Sequence, residues 1–257
     1  MNIDVLTADW FRNVFPSASS MAIVGNGPVD VSDTKIIDGS DVVVRFNDFD
    51  RRPGLCQEHR TPRCDLLVTH FDCIPSPAQL PKGILHAIPP PFQLERNRKI
   101  CASRYPHQRH AMVNPFEQQR LCRELGLDSD GYKHPLPTVG FTWLWHFHQL
   151  SIPMSIFLCG FTWHYDAASF TYDKFKALAD KLPPRLNHYY LKEAVWVQRN
   201  WLGGSNISFS SAAYDALSPL SKFIHFPWEG PGGLIQVSII KGRRTAIQIP
   251  PGYRITP

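Results

Sequence analysis

The chain has 257 residues, 43% of them apolar and 12% aromatic. That is ample for one large α/β domain or two small ones, and too much ring surface for a disordered chain. The net charge of +5 directs attention to anionic partners, yet neither an RNP box nor a C₂H₂ finger spacing is present, so nucleic acid is not an expected partner. No run reaches the ~18–20 apolar residues of a membrane span, and Asp4, Asp9 and Arg12 interrupt the N-terminus too early for a signal peptide. Cys56, Cys64, Cys73, Cys101, Cys122 and Cys159 form no C-x-x-C pair, which argues against structural zinc and for free thiols in the cytoplasm.

Taken in chain order, "ADWFRNVF" (8–15) predicts a short helix with Trp10, Phe11, Val14 and Phe15 on one side. Ala22, Ile23 and Val24 form a strand that ends on Gly25-Asn26-Gly27. "DVVVRFND" (41–48), "CDLLVTH" (64–70) and "GILHAIP" (83–89) read as three further strands. "NPFEQQRLCRELG" (114–126) is helical, with apolar positions at Phe116, Leu121 and Leu125 and a stop at Gly126. "TVGFTWLWHFHQL" (138–150) is a second helix, opened by Pro137-Thr138. "MSIFLCGF" (154–161) is a buried strand and "YLKEAVWVQRNWL" (190–202) a third helix. The runs around 241–244 predict a terminal hairpin. Proline-rich stretches at 75–91, 219–231 and 250–257 read as irregular connections, not as linkers between domains. Strands alternating with helices predict an α/β, Rossmann-like or GT-A-like domain, with a mostly parallel sheet and helices on both faces. Its ligand is expected beyond the carboxyl ends of the strands.

A glycine turn between strand and helix can offer backbone N–H groups to a phosphate. The dinucleotide pattern G-x-G-x-x-G needs glycine where Asp30 stands, and the Walker pattern is missing as well. NAD and ATP are therefore poorly supported. Asn26 in the turn and Asn47 after the next strand suit recognition of a base, ribose or phosphate, because each amide both donates and accepts. Pro137-Thr138-Val139-Gly140 adds a hydroxyl and a glycine at a helix start, while His164, His188 and Glu193 follow the 154–161 strand.

Together these pieces resemble the sialyltransferases of glycosyltransferase family 29. Ala22 to Gly27, followed by Ile37-Asp38-Gly39-Ser40-Asp41-Val42-Val43-Val44-Arg45-Phe46-Asn47, is similar to the family's large sialylmotif. Pro137 to Gly140, followed by Leu158-Cys159-Gly160-Phe161, is similar to the small motif. His164-Tyr165-Asp166 resembles motif III, and His188 through Glu193 the very small motif, His-x₄-Glu. Gly27 and Pro28 replace the Ser-Gly of the large motif, Val139 replaces a hydroxyl residue, and Met21 stands where secreted members carry a cysteine. These departures, with no membrane anchor, suggest a soluble bacterial-type member. His188-Tyr189-Tyr190 offers a second assignment for motif III, with His225 and Glu229 then standing one residue short of the very small motif.

The resemblance implies a single glycosyltransferase domain over 1–257, with the motif region at 21–193 and a C-terminal extension at 203–257. It implies inverting, metal-independent transfer of a 2-keto sugar acid, sialic acid or Kdo, from a CMP-sugar donor to a glycan or lipid-linked oligosaccharide. No separate cofactor is implied. His188 is the expected base, since an imidazole titrates near working pH. His164, with Tyr165 nearby, is expected to stabilise the departing phosphate. Gly25, Asn26, Gly27 and Asn47 are expected to hold the phosphate and ribose, and Thr138, Val139 and Gly140 the cytidine. Glu193 either orients that region or faces solvent. Tyr189 and Tyr190 line the acceptor cleft or belong to the core, and His146 and His148 are expected to pack on the aromatic helix. Asp48-Phe49-Asp50 has the form of a metal-binding acid pair but reads better as a solvated strand end.

Arginines at 51, 52, 60 and 63, at 96, 98, 104 and 109, and at 243 and 244 form basic clusters. They either make a solvated face or meet a phosphorylated acceptor, which would suit lipopolysaccharide or capsule assembly at the inner membrane face. Two other readings stay open: another nucleotide-binding Rossmann-like enzyme, and a non-catalytic CMP-binding or assembly protein.

Overall fold

Five apolar runs supply most of one sheet. The computed structural model describes residues 3–27, 29–47, 49, 63–69, 81–87, 103–125, 137–161, 190–217, 234–240 and 243–249. Its strands are β1 (Asp4–Val5), β2 (Ser20–Val24), β3 (Val42–Phe46), β4 (Leu66–Thr69), β5 (Gly83–His86), β6 (Arg109–Met112), β7 (Ser155–Cys159) and β8 (Ile207–Phe209). They form a single sheet in the order β1-β6-β5-β4-β3-β2-β7-β8, with every neighbouring pair parallel. The helices are α1 (Ala8–Val14), α2 (Val31–Gly39), α3 (Pro115–Glu124), α4 (Val139–Leu150), α5 (Tyr190–Asn200) and α6 (Ser211–Leu217). The predicted hairpin is present as β9 (Leu234–Ile240) and β10 (Arg243–Ile249), an antiparallel pair separate from the main sheet. Among the described residues no helix is long and apolar enough to cross a membrane.

The central strands are covered on both sides, which is why they read as continuous apolar runs and not as alternating ones. Side chains still alternate between two layers. Met21, Ile23, Val42, Val44, Leu66, Val68, Leu85, Ile156 and Leu158 enter a large core with residues of α1, α3, α4, α5 and α6. Ala22, Val24, Val43, Phe157 and Cys159 pack with Ile37 of α2 on the opposite face, where Leu67, Ile84, Cys64, Phe49 and Tyr105 make a smaller cluster. The α/β, doubly covered parallel sheet expected from the sequence is the observed fold.

Helix starts follow local chemistry. Thr7 Oγ1 accepts the Trp10 N–H at 3.0 Å to begin α1. Asn114 caps α3 through Phe116 N at 2.9 Å, with Pro115 in the first turn. Phe116 itself departs from expectation: it is 77% exposed, while Leu121 and Leu125 are buried. At 3.6 residues per turn Leu121 and Leu125 lie roughly 140° and 180° round the helix from it, so the three cannot share a face. Further along, α3, α4 and α5 are joined by a polar link. The Glu124 carboxylate accepts the indole N–H of Trp145 at 2.9 Å and of Trp196 at 2.5 Å.

Candidate functional site

The strand order reverses between β2 and β7, the place where a doubly wound sheet opens a crevice beyond its strand ends. The loops leaving these two strands are locked together. Gly25 N–H donates to Cys159 O at 2.8 Å, and Gly27 N–H to Gly160 O at 2.7 Å. A Cβ on Gly25 would lie 2.3 Å from Gly160 O, and one on Gly160, whose φ is +68°, 2.7 Å from Gly25 O. Glycine is required here because two backbones touch. Two of the turn's amides are spent on the β7 loop, and of the three only Asn26 N–H lacks a partner among the described residues.

Both expected asparagines have structural tasks. Asn26 Nδ2 donates to Phe46 O at 3.2 Å, bracing the turn against the end of β3. Asn47 has φ +51°, a left-handed turn that asparagine adopts more readily than most residues, and its N–H donates to Val68 O at 3.0 Å. The two amides thus stand at neighbouring strand ends, as the sequence implied.

Phe161, directly after the β7 loop, was not singled out as a site residue and turns out to be central. A Cβ on Gly25 or on Gly140 would each come within 3.0 Å of its ring, and the ring meets Phe46 edge-on with centroids 5.8 Å apart. The two glycines and Phe46 therefore converge on a single aromatic side chain. This contact brings the start of α4 to the β2 and β7 loops.

At that start, Thr138 is the N-cap: its Oγ1 accepts Phe141 N–H at 3.1 Å. Thr138 N–H and its hydroxyl both donate to Glu193 of α5, each at 2.7 Å, to different carboxylate oxygens. The Thr138 hydroxyl proton is thus committed within the protein. Val139 and Gly140 N–H lack a partner among the described residues. Of the two roles expected for Glu193, orienting the region or facing solvent, the solvent-facing one is excluded, because it is 2% exposed. Burial pushes its carboxyl up to about 7, against the opposing pull of the two Thr138 hydrogen bonds.

The start of α2 is acidic. Asp30 N–H donates to Asp33 Oδ2 at 3.2 Å, and burial raises the Asp33 carboxyl. A dinucleotide pyrophosphate would meet two acids at this helix end, where the fold otherwise favours an anion.

His146 is buried, with Nε2 3.1 Å from Gln118 Oε1, and its pKa is pushed down to about 3 by desolvation. His148 accepts the Trp201 indole N–H at 3.2 Å. His146 belongs to the packed side of α4, as expected, whereas His148 is exposed at the edge of that side, with its ring edge-on to Trp196 at 5.2 Å between centroids. Arg63, from the first basic cluster, pairs with Asp65 at 2.9 Å and donates to the carbonyls of Asp38 and Asp41, so it serves the sheet. Cys64, Cys122 and Cys159 are buried thiols outside any disulfide. Among the described residues no three His, Cys, Asp or Glu side chains gather as a metal site requires. His164, Tyr165, Asp166, His188, Tyr189, His225, Glu229, Asp48 and Asp50 lie outside the described residues, as does the side chain of Tyr190.

No protein-family model matches this sequence, and no curated protein or solved structure matches it either.

Proposed function

We propose that this chain is an inverting, metal-independent glycosyltransferase of the family 29, sialyltransferase-like kind, moving a sialic acid or Kdo residue from a CMP-sugar to a glycan acceptor. The observation that carries the reading is convergence. Gly25 to Gly27, Asn47, Thr138 to Gly140 and Gly160-Phe161 are separated by up to more than a hundred residues of chain, yet meet at the β2–β7 crevice with Glu193 behind them. They are the same fragments that resemble the sialylmotifs.

In this reading the His188 imidazole takes the acceptor hydroxyl proton as that oxygen attacks the anomeric carbon. The anomeric bond to the CMP phosphate breaks, and His164 stabilises the charge left on the phosphate. The unspent amide of Asn26 is suited to a single phosphate, and those of Val139 and Gly140 to the cytidine. The acids at the start of α2 discourage a second phosphate.

Thermal unfolding with CMP, CDP, UDP and NAD tests this directly. A ligand at ~100 times its Kd stabilises the native state by ~2.7 kcal/mol. Stabilisation by CMP, with UDP and NAD inert, is the expected result, followed by transfer from a CMP-linked keto acid that His188→Ala abolishes while CMP binding persists. Stabilisation by NAD or UDP in place of CMP refutes the reading. CMP binding without transfer from any CMP-sugar points to a non-catalytic binding protein.

A further inference from the structure

We infer that Glu193 is the positioning residue of the donor site: by accepting from both the backbone N–H and the hydroxyl of Thr138, its carboxylate sets the first turn of α4 and the two unspent amides, Val139 and Gly140, that open on the crevice. The inference rests on the nucleotide reading above and adds a residue to it.

The geometry is two-point. Each carboxylate oxygen takes a different donor of one residue, both at 2.7 Å, so Thr138 is fixed in orientation as well as in distance. Thr138 already caps α4 through Phe141 N–H, and the helix would start without Glu193. Keeping a carboxylate 2% exposed is costly, and no cation among the described residues offsets that cost: the influences on Glu193 there are burial and Thr138 itself. The nearby charged groups are engaged elsewhere. Lys192 Nζ donates to Leu125 O at 2.6 Å, and Glu124 holds the two indoles. What the buried carboxylate supplies is a rigid tie between the beginnings of α4 and α5.

The test compares wild type, Glu193→Gln and Glu193→Ala. Glutamine keeps an oxygen for Thr138 N–H and a polar group for Thr138 Oγ1; alanine keeps neither. CMP affinity is measured by calorimetry below the melting transition, with circular dichroism confirming the fold. Amide exchange at Phe141 and Thr142 is followed without ligand. Alanine should weaken CMP binding by about tenfold or more, the order expected when a site is displaced by a fraction of an ångström. It should also speed exchange in the first turn of α4 by about tenfold, with both effects largely reversed in the glutamine variant. If the folded alanine variant binds CMP as wild type does, the positioning role is overturned and the nucleotide reading stands. If wild type binds no CMP, the nucleotide reading fails and exchange decides: faster exchange in alanine, restored in glutamine, keeps Glu193 as organiser of the turn, and unchanged exchange removes that too.

Discussion

The raised carboxyl of Glu193 makes a signed prediction about stability. In the unfolded chain this group titrates near 4.5, and in the folded protein near 7, because burial disfavours its charge. Between these values the native state holds a proton that the unfolded chain has released. The stability this confers is fully present below about 4.5 and is lost as pH rises through about 7. Each tenfold change in proton affinity is ~1.4 kcal/mol, so ionising Glu193 in place costs about 3 kcal/mol above pH 7. Glu193→Gln resembles the protonated form and escapes that loss. Urea unfolding of both proteins at pH values below 5 and above 7 should show the variant gaining about 3 kcal/mol on wild type across the interval. Histidines that titrate in the same window are common to both proteins and cancel in the difference. A constant difference between the two across that range would mean that Glu193 ionises at its ordinary pH despite its burial, and the cost assigned to it would be refuted.

Gly25→Ala should destabilise by about 2–3 kcal/mol or prevent folding, since its Cβ would sit 2.3 Å from a backbone oxygen that cannot swing away; Gly39→Ala, with nothing within 4 Å, should be neutral or mildly stabilising in the same unfolding assay. His146, whose folded pKa of about 3 lies below its ordinary 6.5, stabilises the fold above pH 6.5, and that contribution is lost as pH falls toward 3. His146→Gln should flatten the acid limb of the stability curve by up to about 4–5 kcal/mol. Phe116→Ser should change stability by no more than about 0.5 kcal/mol, whereas Leu121→Ala should cost about 2–5 kcal/mol; equal losses would place Phe116 in the core after all.

Elements buried on two sides or striped along one were legible from sequence. β2, β3, β4, β5 and β7 are continuous apolar runs, and α4 carries Phe141, Trp143, Leu144, Trp145 and Phe147 into the core. The elements not foreseen lack such a signal. α2 buries only Asp33 and Ile37, so its helical period is nearly silent. β6 opens with exposed Arg109 and buries His110 beside His86, Nε2 to Nδ1 at 3.2 Å, a pairing that apolar patterning cannot register. β1 and β8 are edge strands of two and three residues with little burial. At the site, residue types at the strand ends and at the start of α4 could be read locally. The bond between Thr138 and Glu193 spans 55 positions, and nothing in the spacing of either residue declares it. The close approach that requires Gly25 was not legible for a related reason: a glycine needed to face a phosphate and one needed to face another backbone look identical in sequence.

The position of β2 also bears on how the chain emerges from a ribosome. Its neighbour β3 follows within twenty residues, but the strand on its other side, β7, is not made until residues 155–159. For most of synthesis the apolar Met21–Val24 segment therefore presents one open strand edge to whatever else is nearby. Unpaired edges of this kind recruit foreign strands, and in a growing chain they are exposed before any later segment can cover them. Nascent chains arrested between residues 120 and 150 should be the ones that most engage chaperones or self-associate, with relief once β7 has cleared the exit tunnel.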